Sequence, residues 1–181
     1  MPRVLLACGA SVAVYKACDL ASRLTQDGHR VRAVLTARAA MLVSPQLFES
    51  VTGEPAYTDE FDPGTRRGAM DHVDLARWAE ALVVAPCTAD LAGRLALGLA
   101  DDLVSTAALA LSPGIPRLLC PAMNPAMLAS APVRRNLGIL QSDGWAVLAP
   151  ETGHMACGDE GAGRLPEPAR IAEWIGAHLG G

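Results

Sequence analysis

Ala81-Leu82-Val83-Val84-Ala85-Pro86-Cys87-Thr88-Ala89-Asp90 is the stretch that decides the fold. Residues 81–85 form an unbroken apolar run with no polar alternation. A strand covered on one face alternates, whereas a strand of a parallel sheet buried between two helical layers does not. A proline ends the run. Thr88, a residue type suited to capping helices, then precedes helical spacing over 89–98. Apolar run, small-residue turn, helix: the order is that of a β–α unit.

The same order recurs on both sides. Upstream, residues 4–8 read as a first strand, Gly9-Ala10-Ser11 as a turn, and the following segment as a helix to about Gln26. Asp27-Gly28 ends that helix, because glycine accepts the left-handed cap. Residues 31–35 are a second strand, and 45–52 have helical spacing. Downstream come a helix over about 100–111, strands at 117–120 and 146–149, and a closing helix over 167–179. Alternation of this kind predicts an α/β fold, a parallel sheet with helices on both faces. In such sheets ligands bind outside the carboxyl ends of the strands. The absence of repeats and linkers makes 1–181 a single expected domain.

Composition removes several function classes. The 181 residues are 51% hydrophobic but only 4% aromatic, so Ala, Leu and Val must build the interior. Net charge is −4, with no basic cluster beyond Arg66-Arg67 and Arg134-Arg135, which argues against a nucleic-acid partner. No apolar run reaches the roughly 18 residues of a membrane helix. Met1-Pro2-Arg3 leads straight into the first strand, which is too short a lead for a signal peptide. The five cysteines (Cys8, Cys18, Cys87, Cys120 and Cys157) have no metal-ligand spacing, so no metal is expected and a reducing cytoplasm suits them.

The unusual residues gather after the strands. Gly9-Ala10-Ser11, Thr36 and Pro86-Cys87-Thr88-Ala89-Asp90 follow three of them, and Ala122-Met123-Asn124 follows another. Hydroxyl residues at helix starts offer backbone N–H groups to an anion such as a phosphate, although each alone is equally an ordinary cap. Three such loops on one sheet edge favour a phosphorylated cofactor. There is no G-x-G-x-x-G and no Walker lysine. By themselves, His72 reads as catalytic or as a surface imidazole, and Asn124 as an anion grip or the cap of the next helix. Cys157, flanked by Gly, Asp and Glu, reads as the exposed thiol of a lid or as an inert loop cysteine. His154 and His178 belong to no motif and are expected to face solvent.

Six ordered segments resemble the homo-oligomeric flavin-containing cysteine decarboxylases. They are Ser11-Val12-Ala13-Val14-Tyr15-Lys16-Ala17; Leu35-Thr36-Ala37-Arg38-Ala39-Ala40; His72-Val73-Asp74-Leu75-Ala76-Arg77-Trp78-Ala79; the run from Ala85 to Asp90 with Gly98-Leu99-Ala100-Asp101-Asp102-Leu103; Pro121-Ala122-Met123-Asn124-Pro125-Ala126-Met127; and Ala156-Cys157-Gly158-Asp159-Glu160-Gly161-Ala162-Gly163-Arg164. The resemblance implies a flavodoxin-like three-layer fold, FMN as cofactor, and active sites between subunits of a trimer or of a dodecamer built from four trimers. It places Gly9, Ala10, Ser11, Thr36, Pro86, Thr88 and Asp90 on the FMN and Ala122 near its ring. His72, Asn124 and Cys157 would be catalytic, while Asn124, Met127 and Arg164 would hold the substrate.

A cysteine carboxylate does not lose CO2 readily, because the carbanion has no sink. In this family, oxidation of the thiol-bearing carbon by the flavin creates one. A cysteine at the position of Cys157 donates the proton that lets the product finish as a saturated thiol; without that step it remains an enethiol. The intact segment around Cys157 favours phosphopantothenoylcysteine as substrate. Leu128, where the family usually has Trp or Tyr, and the chain's end at Gly181 without a following synthetase domain favour a peptide substrate. The sequence leans toward oxidative decarboxylation of a C-terminal peptide cysteine in a natural-product pathway, with the phosphopantothenoylcysteine decarboxylase of coenzyme A biosynthesis as alternative. A flavin prenyltransferase or a non-catalytic FMN-binding regulatory subunit would be of another class; His72 and Asn124 argue against prenyl transfer, which needs no carboxylate grip.

Overall fold

The computed structural model describes residues 1–64, 66–154, 158 and 160–179. At its centre lie the strands β1 (Arg3–Cys8) and β4 (Ala81–Cys87), whose apolar residues are almost wholly buried. They pair in parallel, Val4 with Ala81 through Ala7 with Val84. β2 (Arg30–Leu35), β3 (Ala56–Tyr57), β5 (Arg117–Pro121) and β6 (Ala146–Val147) complete a six-stranded sheet in the order β3-β2-β1-β4-β5-β6, every pairing parallel. Without the two-residue edge strand β3, the order is the flavodoxin-like one. The order reverses direction between β1 and β4, so the switch point falls where the 81–90 segment meets the first turn.

Side-chain alternation along β1 divides the core. Val4, Leu6 and Cys8 face one layer, made by α1 (Tyr15–Gln26), α3 (Pro45–Thr52) and α9 (Pro168–Leu179). Leu5 and Ala7 face the other, with α4 (Asp71–Trp78), α5 (Ala89–Leu97), α6 (Leu103–Ala110) and α8 (Ala131–Ser142). In α1 the buried residues Ala17, Leu20, Ala21 and Leu24 follow the 3.6-residue period, and Gly28 closes the helix at φ 89°. Phe48 of α3 is fully buried, one of the few large aromatic contributions to an interior otherwise built from Leu, Val and Ala. The α/β fold with a parallel sheet is as expected from the sequence.

Several boundaries differ from the sequence reading. The helix expected from about residue 100 begins at Leu103, because Asp102 accepts from the Ser105 amide at 2.7 Å and closes a capping box there. The strand expected at 146–149 keeps only Ala146–Val147 in the sheet, where β5 offers pairing to those two residues alone. β3, α4, α8 and the short helix α2 (Ala37–Ala40) are additions, while the short α7 (Pro125–Ala129) is the helix that follows Asn124 in the sequence reading. In the glycine-rich 151–164 region, β7 (Glu151–His154) pairs antiparallel with β8 (Glu160–Arg164). The region carries too little apolar alternation to announce a strand pair. Its place is set by tertiary contacts: the Met123 amide donates to the Gly163 carbonyl at 3.0 Å, and Gly161 lies against Pro125 of α7.

Candidate active site

The switch point is built by a close backbone approach. The Gly9 amide donates to the Pro86 carbonyl at 2.9 Å. A Cβ on Gly9 would stand 2.8 Å from that oxygen and 3.3 Å from the Thr88 nitrogen, so no other residue type fits without moving one loop. Pro86 sits where the β4–β5 register shifts between Val84 and Cys87, a position that suits a residue with no ladder donor. Gly9 and Pro86, both expected on the cofactor, are not among the residues that line the neighbouring cavity.

Beside them opens this cavity, of about 400 Å³. Ala10, Ser11, Thr36, Thr88, Asp90 and Ala122 all line it, so the structure brings the expected cofactor residues together from four separate loops. The hydroxyl oxygens of Ser11, Thr36 and Thr88 accept from the amides of Ala13, Ala39 and Leu91 at 3.3, 3.1 and 3.2 Å. Each hydroxyl so used retains its own O–H for a ligand. Thr88 opens the nine-residue α5, whose first-turn N–H groups have no intrahelical partner. Ala10, Leu91, Ala122 and Met123 supply apolar wall. A flat apolar ring system with a phosphate tail, the shape of FMN, fits this combination.

Charge at the rim is organised around Arg94, which sequence reading missed. Its guanidinium contacts Asp90 at 3.0 Å, Asp101 at 2.6 Å and Asp102 at 3.4 Å. Burial works against this charge, and the three carboxylates outweigh it, keeping Arg94 protonated. The i,i+4 spacing of Asp90 and Arg94 is the signal that could have found the pair. Arg38 and Asp102 also line the cavity without having been singled out.

A second cavity of about 490 Å³ shares Ser11, Ala122 and Met123 with the first. Asn124 and Arg164 line it, together with Tyr15, Lys16 and His154. Asn124 caps α7, its Oδ1 accepting from the Ala126 amide at 2.8 Å, so the bland reading of that residue holds alongside any other. Lys16, the chain's one lysine, pairs with Glu167 at 2.7 Å. The ammonium's hydrogen bond holds the Glu167 carboxyl below the usual glutamate range. His154, expected merely to face solvent, is exposed and also borders this cavity. Met127, expected at the substrate, lines the first cavity instead. Asn124, the cap of the five-residue α7, and Met127 within it stand three positions apart and line different cavities.

His72 is the exception. It stands at the start of α4 and lines neither cavity of its own chain. Its Nδ1 lies 2.5 Å from Glu60 Oε2. Cys157 lies outside the described residues. The other cysteines are free thiols made unreactive by burial: those of Cys8, Cys87 and Cys120 are pushed far up, and that of Cys18 to about 11. No cluster of His, Cys, Asp or Glu among the described residues could hold a metal, and no helix among them is long and apolar enough to cross a membrane.

Known proteins resemble the whole of this arrangement. The chain is 40% identical over 176 residues to the coenzyme A biosynthesis bifunctional protein CoaBC of Bacillus subtilis (strain 168), covering 97% of this chain and 43% of the relative. It therefore spans less than half the length of such curated relatives. Among solved structures, a Cys→Ser mutant of PPC decarboxylase complexed with pantothenoylaminoethenethiol superposes with a TM-score of 0.87 at 31% identity, covering 99% of each chain. The FMN-dependent cysteine decarboxylase SpaF superposes with a TM-score of 0.81 at 29% identity, covering 98% of this chain and 97% of that one. The Flavoprotein family model matches residues 1–180. The switch-point cavity, with its hydroxyl-bearing loops and apolar wall, is thus that of a member of the Flavoprotein family, to which this chain belongs.

Proposed function

We propose that this chain is an FMN-dependent cysteine decarboxylase, a carboxy-lyase, whose substrate is phosphopantothenoylcysteine. The observation that carries the substrate is the similarity to CoaBC through 97% of the chain, supported by the PPC decarboxylase likeness at 99% coverage. This reverses the sequence reading's preference for a peptide substrate. Bound FMN would supply the two-electron acceptor that makes the cysteine's thiol-bearing carbon a sink for the electrons left by CO2. Ser11, Thr36 and Thr88 would hold its phosphate end, with Asp90 and Ala10 beside them and Ala122 against the ring.

The chain's own residues then divide the work. Asn124, at the mouth of the second cavity, would grip the substrate carboxylate through its side-chain amide, with Met127 marking the passage to the flavin and Arg164 lending positive charge. His72 would orient the thiol or move its proton. Because it lines neither cavity of its own chain, His72 is best placed to act from a neighbouring copy, in a homo-oligomer of trimers. Cys157 would give the proton that accompanies return of the two electrons held by the reduced cofactor, completing the saturated thiol. Free thiols at Cys8, Cys18, Cys87 and Cys120 suit work in a reducing cytoplasm.

Leu128 favours a second reading. It follows Met127 on α7, where the resembled family usually has Trp or Tyr, and the smaller side chain beside Met127 would leave room for a C-terminal peptide cysteine. Mass spectrometry of the FMN-loaded protein incubated with each substrate decides between them. Loss of about 44 Da (CO2 alone) from phosphopantothenoylcysteine is the expected result. Loss of about 46 Da from a cysteine-ending peptide, with no change in phosphopantothenoylcysteine, would establish the peptide enzyme instead.

A further inference from the structure

We propose that Glu60 is the positioning residue for His72: its carboxylate accepts a hydrogen bond from Nδ1–H, locks the ring and presents Nε2 to the reaction. The proposal rests on the assignment of His72 to the active site. Glu60 belongs to the 58–70 connection between β3 and α4, twelve residues before His72 in the sequence. Its side chain is only 11% exposed and that of His72 27%, so the contact is sheltered from water on most sides. Glu60 Oε2 lies 2.5 Å from His72 Nδ1 and also accepts from the His72 backbone amide at 3.4 Å. One oxygen therefore holds both ends of the residue, which fixes the side-chain torsions as well as the ring plane.

A carboxylate oxygen accepts and does not donate, so the ring must carry its hydrogen on Nδ1. The neutral imidazole then has a bare Nε2, an acceptor aimed away from Glu60. That tautomer can receive a proton from a thiol; the opposite one would present an N–H. The neighbouring carboxylate of Asp71 accepts from the Arg67 amide at 3.0 Å, and it is the Glu60 carboxylate that meets the His72 ring. A negative group at this place also meets the start of the eight-residue α4, where the helix dipole favours it. A purely architectural Glu60, tying the 58–70 connection to α4, would make the same contact and set the same tautomer, but its loss would leave kcat unchanged. The two are separable by measurement.

The test uses FMN-loaded protein with ¹⁵N-labelled histidine, read by magic-angle-spinning NMR, alongside steady-state decarboxylation. In the parent, His72 is expected as the Nδ1–H tautomer. Glu60→Ala shifts it toward Nε2–H and lowers kcat by about 10–100-fold with KM little changed, as loss of an orienting partner does. Glu60→Gln, whose amide oxygen can still accept from Nδ1, keeps the tautomer and recovers most of the lost kcat. A parent His72 in the Nε2–H form would overturn the proposal, as would Glu60→Ala with parental tautomer or kcat. If His72→Asn turns over normally, the active-site reading of His72 fails instead, whatever the NMR shows.

Discussion

The floor and the rim of the site are built by different means. The floor, where Gly9, Pro86 and Thr88 meet, belongs to the parallel sheet: paired strands fix it on both sides, and a backbone hydrogen bond of 2.9 Å joins its two loops. The rim consists of the charged cluster around Arg94 and the β7–β8 pair, the latter held through single connections such as Met123 to Gly163. A floor fixed by the sheet ladder tolerates no added atom. A rim held by a few long-range contacts can be altered locally, which is what variation of substrate on a constant cofactor site requires. Enzymes sharing this fold would then be expected to differ more at the rim than at the floor.

Substituting Gly9 gives the largest effect that bears on this contrast. Gly9→Val adds three carbons where one already meets the Pro86 carbonyl at 2.8 Å. Forcing the loops apart should cost about 3 kcal/mol of stability and leave the purified protein without flavin colour. A yellow, stable Gly9→Val protein would show that the floor is adaptable and remove the distinction.

A rim substitution should behave differently. Gly161→Ala puts a side chain at φ 156°, a backbone conformation that favours glycine, and brings its Cβ to 3.1 Å from Pro125 Cγ; a local shift of β8 relieves both. Flavin content and melting temperature should stay near those of the parent, the stability cost being about 1 kcal/mol, while KM rises. Flavin loss in this variant would mean that the β7–β8 pair and the floor form one unit.

The smallest expected effect lies at the sheet edge, away from both regions. Burial pushes the Glu54 carboxyl up, but its bonds to Arg32 and Arg30 at 3.0 and 2.7 Å outweigh this and hold it below the usual glutamate range. A carboxyl lowered by folding adds stability above its unfolded pKa and loses it as pH falls through the folded value. Glu54→Gln should therefore cost about 1 kcal/mol at neutral pH, a difference that narrows below about pH 4. Denaturant melts at the two pH values check it, and an equal gap at both would refute the charge assignment.

Much of this was legible along the chain. The unbroken run 81–85, the 3.6-residue period of 15–26 and the hydroxyls at Ser11, Thr36 and Thr88 are local signals, because burial on both faces, helix amphipathicity and capping act within a few residues. They determined the α/β class, the cofactor edge of the sheet and the residues that line it. Tertiary structure alone decided that Gly9 must be glycine, since the obstructing oxygen belongs to Pro86, far along the chain. It alone paired β7 with β8 beside α7, brought Asp101 and Asp102 onto Arg94, put Asn124 and Met127 on different cavities and set Glu60 against His72. Those relations join residues whose spacing carries no period, so only the folded chain could bring them within contact distance.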